Sequence, residues 1–537
     1  MIQYKNVVAV SALLFTSLFP SISSAQSTSQ EANQKFNQLL NVVSAVYVDS
    51  VDEMRMVDDA IVRLLADLDP HSVYIPKKDK EKMNEPLQGK FEGVGIQFNI
   101  FLDTILVVSP ISGGPSEKLG ILSGDKIVTI ENDTVAGTGI NNSDVVKYLR
   151  GKKGTIVNVG IKRSGETELL RFDIKRDKIP IYSVEEGYLV NEKIGYVKVT
   201  RFARNTVAEF NAQLSALQKE GMEDLILDLR GNGGGYLSTA ISLADQFLNE
   251  NKLLVYTQGR SMQKDEALSS RGGSFRKGKL VILIDEGSAS ASEIVSGAIQ
   301  DWDRGLIVGR RSFGKGLVQK PFPLPDGSEF RLTISRYYTP SGRCIQKPYD
   351  KGKKAYRNDI NERFKSGELT NPDSIQMPDL LKFSTKINGR TVYGGGGIMP
   401  DVFVPIDTST RSDYYMNLLR KGVFNTFSLS YLDKNRNKLS KIYNDKYEFA
   451  KNFVVTDELL ADFIKYGEKK KVEKVEEDLE KSKVEITNLL KAYLARGLFN
   501  AGSYFQTLNS EDDAFKKAVD ILSDDTFDKL KVNYKTQ

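Results

Sequence analysis

The chain has 537 residues, 40% of them hydrophobic and 27% charged, with a net charge of +5 from 75 basic and 70 acidic side chains. That is an ordinary globular composition, long enough for three or four domains. So small a net charge, with no basic stripe interleaved with aromatics, argues against nucleic acid or an anionic surface as partner. A single cysteine, Cys344, and a single histidine, His71, exclude a disulfide framework and a zinc cluster, and nothing in the pattern calls for a cofactor or a metal.

Lys5 precedes an apolar run from Val7 to Phe19, followed by SISSAQ, where Ser23 and Ala25 are the small residues of a cleavage site. This predicts a signal peptide over residues 1–25, export and a periplasmic location. The run is short for a membrane span, and an uncleaved N-terminus holding the protein at the membrane is the alternative. Residues 26–86 read as a helical region. Phe36, Leu39, Leu40, Val43, Val46 and Tyr47 form one stripe and Val57, Ile61, Leu64 and Leu65 another, which predicts two packing helices used for structure or for dimer contacts. The motif LDLDPHSVYI ends them, and His71, beside a proline in a turn, reads as structural.

Residues 87–178 change character, with short alternating strands punctuated by GVGIQF, GILSGDKIVTIEN and YLRGKKG. The stretch resembles a PDZ domain. The resemblance implies capture of a protein C-terminus as an added strand, its carboxylate held by the loop amides of Gly93, Val94, Gly95 and Ile96. A plain hairpin would also read G-x-G-I. Arg150, at the helix end in YLRGKKG, is either a gate between peptide and active site or a solvated arginine complementing the helix dipole.

Repeated strand-then-helix units follow over residues 179–408, predicting an α/β core. GYVKVTRFARNTVAEFNAQLSALQKEG is a strand and an amphipathic helix; DLILDLRGNGGGYLSTAISLADQFL is a buried strand, a glycine-rich turn and another helix. That turn lacks the lysine and hydroxyl of a phosphate-binding loop. Asp228, Arg230 and Asn232 read as turn-shaping. FRLTISRYYTPSGRCIQ reads as two strand-like runs around a turn, and VYGGGGIMPDVFVP as a loop closing onto the sheet.

The stretch VILIDEGSASASEIVSGAIQDWDRGLIVGRRSFGKGLVQ, from Val281 to Gln319, holds a candidate nucleophile and a candidate base. Val281–Ile284 is a buried strand, and Ile294, Val295, Ala298, Ile299 and Trp302 recur at helical spacing. Ser290 therefore stands at a strand-to-helix turn, where the first helix amides, such as that of Ala291, face any oxygen that turns negative. Ser290-Ala291-Ser292-Glu293 equally fits a capping box, in which the serine only closes the helix start. A serine needs a partner to take its proton, and His71 lies about 220 residues upstream. Lys315, between glycines in SFGKG, is the better base, although by default it is a solvated loop lysine. It must release its proton about 3 to 4 pH units below the ordinary lysine value, about 4 to 5 kcal/mol, which an apolar pocket supplies. Gln319 can hold the amine by a hydrogen bond.

These residues resemble the signature of the carboxyl-terminal processing peptidases, or tail-specific proteases, which use a serine–lysine dyad. The resemblance implies Ser290 as nucleophile, Lys315 as base and Gln319 as its assistant. It also implies an oxyanion hole from Ala291 and Gly234, a ClpP/crotonase-like core with an inserted PDZ domain, and a place for LDLDPHSVYI near the start of the family's chains. The expected activity is an endopeptidase that binds protein C-termini and cuts near them through an acyl-enzyme. Expected partners are proteins with apolar C-termini, an adaptor protein and a second copy in a dimer. The rivals are a non-catalytic PDZ adaptor and an acyl-CoA hydratase-type enzyme of the same fold. From about Ser409 to the end, residues 409–537 read as helical, with Val472, Val475, Leu479, Ile486 and Leu490 as the seam of a solvated or self-associating helix.

Overall fold

A computed structural model describes residues 21–375 and 378–532. The apolar run Val7–Phe19, on which the signal-peptide reading rests, lies outside the described residues. The stretch up to Tyr74 forms one unit, with helices Ser21–Val46 and Glu53–Leu68. Of the two predicted stripes only Leu65 is buried; Phe36, Leu39, Val46, Tyr47 and Leu64 stay exposed, which corrects the expectation that both stripes pack. The turn after the second helix is closed by Asp69, whose carboxylate accepts the amides of His71 at 2.7 Å and Ser72 at 2.8 Å.

In the second unit, from Ile75 onward, a six-stranded sheet forms the centre. Its order is Tyr188–Leu189, Ile194–Lys198, Asp224–Asp228, Leu280–Ile284, Leu306–Gly309 and Val402–Phe403. All pairings are parallel except the first, so both faces need cover. Alternate residues supply it. Leu225, Leu227, Ile282 and Ile284 pack beneath the helices Thr206–Lys219, Leu237–Ala244 and Ala291–Asp301. Ile226, Val281, Leu283 and Val308 point the other way, onto Phe515, Ala518, Ile521 and Leu522 of the helix Asp513–Ser523.

A second sheet joins Leu317–Pro323 to Glu329–Tyr338, and the latter to Leu253–Gln258. EFRLTISRYY is thus one ten-residue strand. The insertion from Lys90 to Pro180 is bracketed by an antiparallel pairing of Lys90–Gly93 with Asp177–Pro180. Between them the strands Ile96–Phe101, Thr104–Pro110, Lys126–Ile130, Ile156–Lys162 and Leu170–Lys175 lie in that order, with the helix Asn142–Leu149 closing a core around Ile105, Val107, Val145 and Val159.

The C-terminal region is helical from Asp413 on, as expected. Its long helix Glu476–Leu498 is not a solvated one. Val472, Leu479, Ile486 and Leu490 are buried with Leu418, Phe424 and Phe463, and only Val475 of the predicted seam is exposed.

Candidate active site

The strand Leu280–Ile284 delivers the chain into a turn over Asp285–Ala289 that its own side chains hold. Asp285 Oδ1 accepts the amides of Gly287 at 3.0 Å and Gly231 at 2.8 Å, binding this turn to the glycine loop of the neighbouring strand. Ser290 follows with φ +56° and ψ −110°, a conformation costly for any residue with a Cβ and characteristic of functional elbows. The helix Ala291–Asp301 begins at the next residue. Among the described residues nothing accepts from the Ala291 amide, which faces the same cavity as Ser290.

Glu293 is fully buried and binds both candidate catalytic segments. Oε2 accepts the amides of Ser290 at 2.7 Å and Lys315 at 2.9 Å; Oε1 accepts Gly314 N–H at 2.7 Å and the Ser312 hydroxyl at 2.5 Å. Burial pushes this carboxyl up, against hydrogen bonds that pull it down. The capping reading was therefore half the story: Glu293 does return to the Ser290 amide, but it also holds the lysine loop. Tyr337 adds a second tie, its buried hydroxyl lying between the carbonyl oxygens of Ser290, at 3.0 Å, and Lys315. Gln319 follows a β-bulge in its strand, and its Nε2 donates to Thr333 Oγ1 at 3.4 Å. Ser290, Lys315 and Gln319 all face one cavity of about 520 Å³, with apolar walls from Leu237, Ile294, Leu317 and Pro321.

The glycine loop forms the opposite wall. Gly234 has φ +102°, and a Cβ on it would lie 2.9 Å from Ser290 Cβ, so only glycine fits. Its amide, however, donates to Asn232 Oδ1 at 2.9 Å. The expectation of a free Gly234 donor is thus corrected: the short asparagine side chain two residues back takes it, as asparagines do in tight turns. Asn232 also anchors the loop to the elbow, its carbonyl accepting from Ala289 N–H at 3.0 Å and Ser292 Oγ at 2.8 Å.

Asp228 and Arg230 do more than shape a turn. Asp228 is fully buried and accepts from Tyr196 Oη at 2.7 Å and from Arg230 Nε and Nη2. Burial alone would raise its carboxyl, but Arg230 and Lys198 prevail and hold it below the usual range. Sequence reasoning missed this pair, and Tyr337, because their roles depend on residues far along the chain. An aspartate and an arginine two apart at a strand end was the available signal.

The model of peptidase family S41 matches residues 193–352, a PDZ domain model matches 93–174, and a family of unknown function matches 414–500. The carboxy-terminal-processing protease of Bartonella bacilliformis is 38% identical over 305 residues, 56% of this chain and 69% of its own. The carboxy-terminal processing protease CtpA of Bacillus subtilis is 32% identical over 358 residues, covering 65% of this chain and 76% of its own. The chain belongs to the carboxy-terminal processing protease family. CtpB of the same bacterium is 35% identical over 57% of this chain and 64% of its own. The protein is a serine-type endopeptidase with an S41 α/β core and a PDZ domain.

In the PDZ domain of this protease the strand Ile96–Phe101 is the sheet edge, paired on one side only, and so open to an added strand. Among the described residues nothing accepts from the amide of Gly95. The carbonyl of Val94 is occupied by Ser116, whose amide and hydroxyl both donate to it, while Gly93 bridges to Arg150. Arg150 stacks over Phe91 at 4.7 Å and pairs with Glu85. Glu85 stands on the helix Lys77–Gln88, whose Asn84 and Leu87 line the catalytic cavity.

Proposed function

We propose that Ser290 is the nucleophile and Lys315 the general base of this endopeptidase. The observation that carries the reading is that both residues face one cavity while Glu293 and Tyr337 bind their main chains to each other. Neutral Lys315 takes the hydroxyl proton as Ser290 attacks the peptide carbonyl, and the resulting ammonium gives that proton to the leaving amine. Water then hydrolyses the acyl-enzyme, activated by the same lysine. Ala291 N–H donates to the oxyanion, while Gly234, its amide held by Asn232, forms the facing wall. Gln319 orients the amine.

Substrates are proteins with apolar C-termini, taken up beside Ile96–Phe101 with the carboxylate on the amides of Gly93, Val94, Gly95 and Ile96. Arg150, through Glu85, is the gate between that groove and the cavity. Export to the periplasm, delivery by an adaptor protein and dimerisation through the exposed apolar side chains of the N-terminal unit complete the proposal. Among the described residues no helix is long and apolar enough to cross a membrane.

The test is mass spectrometry of an unfolded model protein with an apolar C-terminus, incubated with the parent protein, Ser290→Ala and Lys315→Ala. Fragments from the parent alone support the dyad. Equal cleavage by either variant refutes it. Unchanged basal and peptide-stimulated activity in Arg150→Ala refutes the gate.

A further inference from the structure

The glycine loop meets the nucleophile on one side and the C-terminal segment on the other. Asp512 is the N-cap of the helix Asp513–Ser523, its Oδ1 accepting Phe515 N–H at 2.8 Å. The same oxygen accepts from Arg230 Nη1 at 2.7 Å. Asn509 Oδ1 lies 3.4 Å from Arg230 Nη2, and Asn509 Nδ2 donates to Tyr188 Oη at 2.8 Å. Residues 501–532 lie outside all three matched family models, so no shared feature assigns this segment a role.

The geometry of the guanidinium decides what Asp512 does. Asp228 takes Nε and Nη2 from within the core, leaving Nη1 pointing toward a cavity of about 700 Å³ between the sheet and the C-terminal helices. Asp512 is the acceptor on that side. Without it, Arg230 keeps one carboxylate, a donor loses its partner, and the fork can swing into the open space. Arg230 is the root of the glycine loop: its carbonyl accepts from Lys198 Nζ at 3.1 Å, and Gly231 follows it. The loop has no slack further on, because Gly234 packs against Ser290 with no room for a methyl group. A movement at Arg230 is therefore delivered to the oxyanion side of the nucleophile.

We infer that Asp512 is a positioning residue for catalysis, holding the glycine loop in register with Ser290 through Arg230. The inference rests on the reading of that loop as the oxyanion side of the site. The catalytic machinery of this protease thus extends into its C-terminal tail.

Asp512→Ser separates this role from helix capping. Serine caps a helix start about as well as aspartate but is too short to reach Nη1. The measurements are kcat and KM for a peptide substrate, the inhibition constant of a peptide aldehyde, which forms an oxyanion on the serine, and the unfolding temperature. The expected result for Asp512→Ser is a loss of about tenfold in kcat and a similar weakening of the aldehyde, with KM and the unfolding temperature close to those of the parent. Asp512→Asn, which keeps cap and acceptor, rescues kcat. Parent-like kcat and aldehyde inhibition in Asp512→Ser overturn the inference, as does a kcat loss matched by a loss of folded protein. Arg230→Gln tells the two failures apart. If it weakens the aldehyde while Asp512→Ser does not, only the C-terminal assignment falls. If neither variant weakens it, the reading of the loop itself is what fails.

Discussion

Glu293 shows how one buried carboxylate can set the geometry of a two-segment site. Its two oxygens receive four donors, three amides and a hydroxyl, from the nucleophile elbow and the lysine loop. Glutamine has nearly the same shape but turns one acceptor oxygen into a donor, so two of the four donors face an N–H₂ group. At about 1 to 3 kcal/mol for each buried donor left unsatisfied, Glu293→Gln is expected to lose about 2 to 6 kcal/mol of stability. It is also expected to lower kcat more than KM changes, because the relative placement of Ser290 and Lys315 suffers before the apolar cavity walls do. Urea unfolding and steady-state kinetics on the purified variant check both. A variant with parent stability and parent kcat would mean that the elbow, held at φ +56°, needs no clamp.

The core sheet illustrates why covering a parallel sheet needs residues from distant parts of the chain. Its second face is closed by the helix Asp513–Ser523, in which Ile521 is fully buried. Ile521→Ala removes three carbons from a packed interface and is expected to cost about 2 to 5 kcal/mol, read by chemical denaturation. The same region carries an acid limb. The Asp228 carboxyl is held below its unfolded value of 3.8 by Arg230 and Lys198 against the pull of burial. A lowered folded value means stability that is complete above pH 3.8 and is lost as pH falls below it. Thermal unfolding followed from pH 6 down to pH 3 is expected to show its steep decline only in the last part of that range. A flat profile through pH 3 would remove this carboxylate as the source. The strands and the elbow helix were legible in the sequence, because each follows from local periodicity at Val281–Ile284 and Ser292–Trp302, and the PDZ insertion was legible through its resemblance to a known domain. The motif that suggested Ser290, Lys315 and Gln319 lies in one stretch of sequence, and the three side chains line one cavity. What local pattern cannot show is which distant face a helix covers. The seam Val472–Leu490 has the same spacing on a solvated helix as in the core of a helical domain, and nothing around Asp512 marks it as the partner of an arginine 282 positions earlier. The amide of Gly234 was misjudged for a related reason, since an asparagine two residues back competes for it by rotating one side chain.

At the scale of the whole second unit, the PDZ domain is held by the helical region as well as by its two connecting strands. Along Thr104–Pro110, Ile105 and Val107 enter the PDZ core, while Leu106 and Val108, on the opposite face, pack with Leu429 of the helix Val423–Ile442. Lys126 pairs with Asp433 at 3.0 Å beside this contact. The two interactions differ in weight. The ion pair is partly exposed on both sides, at 34% and 26%, and such pairs contribute about 0.2 to 1 kcal/mol. Burying a leucine contributes about 1.5 to 3 kcal/mol. Lys126→Ala is therefore expected to leave the PDZ domain docked, whereas Leu429→Glu, which sets a charge against Leu106 and Val108, is expected to release it. Hydrogen exchange in the helix Val423–Ile442 and the radius of gyration by X-ray scattering distinguish them, because the amides of Thr104–Pro110 stay protected by their own ladder. Release also has a catalytic consequence. A short peptide that reaches the cavity without the PDZ groove keeps its kcat/KM in Leu429→Glu. A protein substrate held by its C-terminus loses the fixed distance between groove and nucleophile, so its cut positions spread. Unchanged cut positions in a variant whose PDZ domain is demonstrably free would show that the connecting strands Lys90–Gly93 and Asp177–Pro180 alone set that distance.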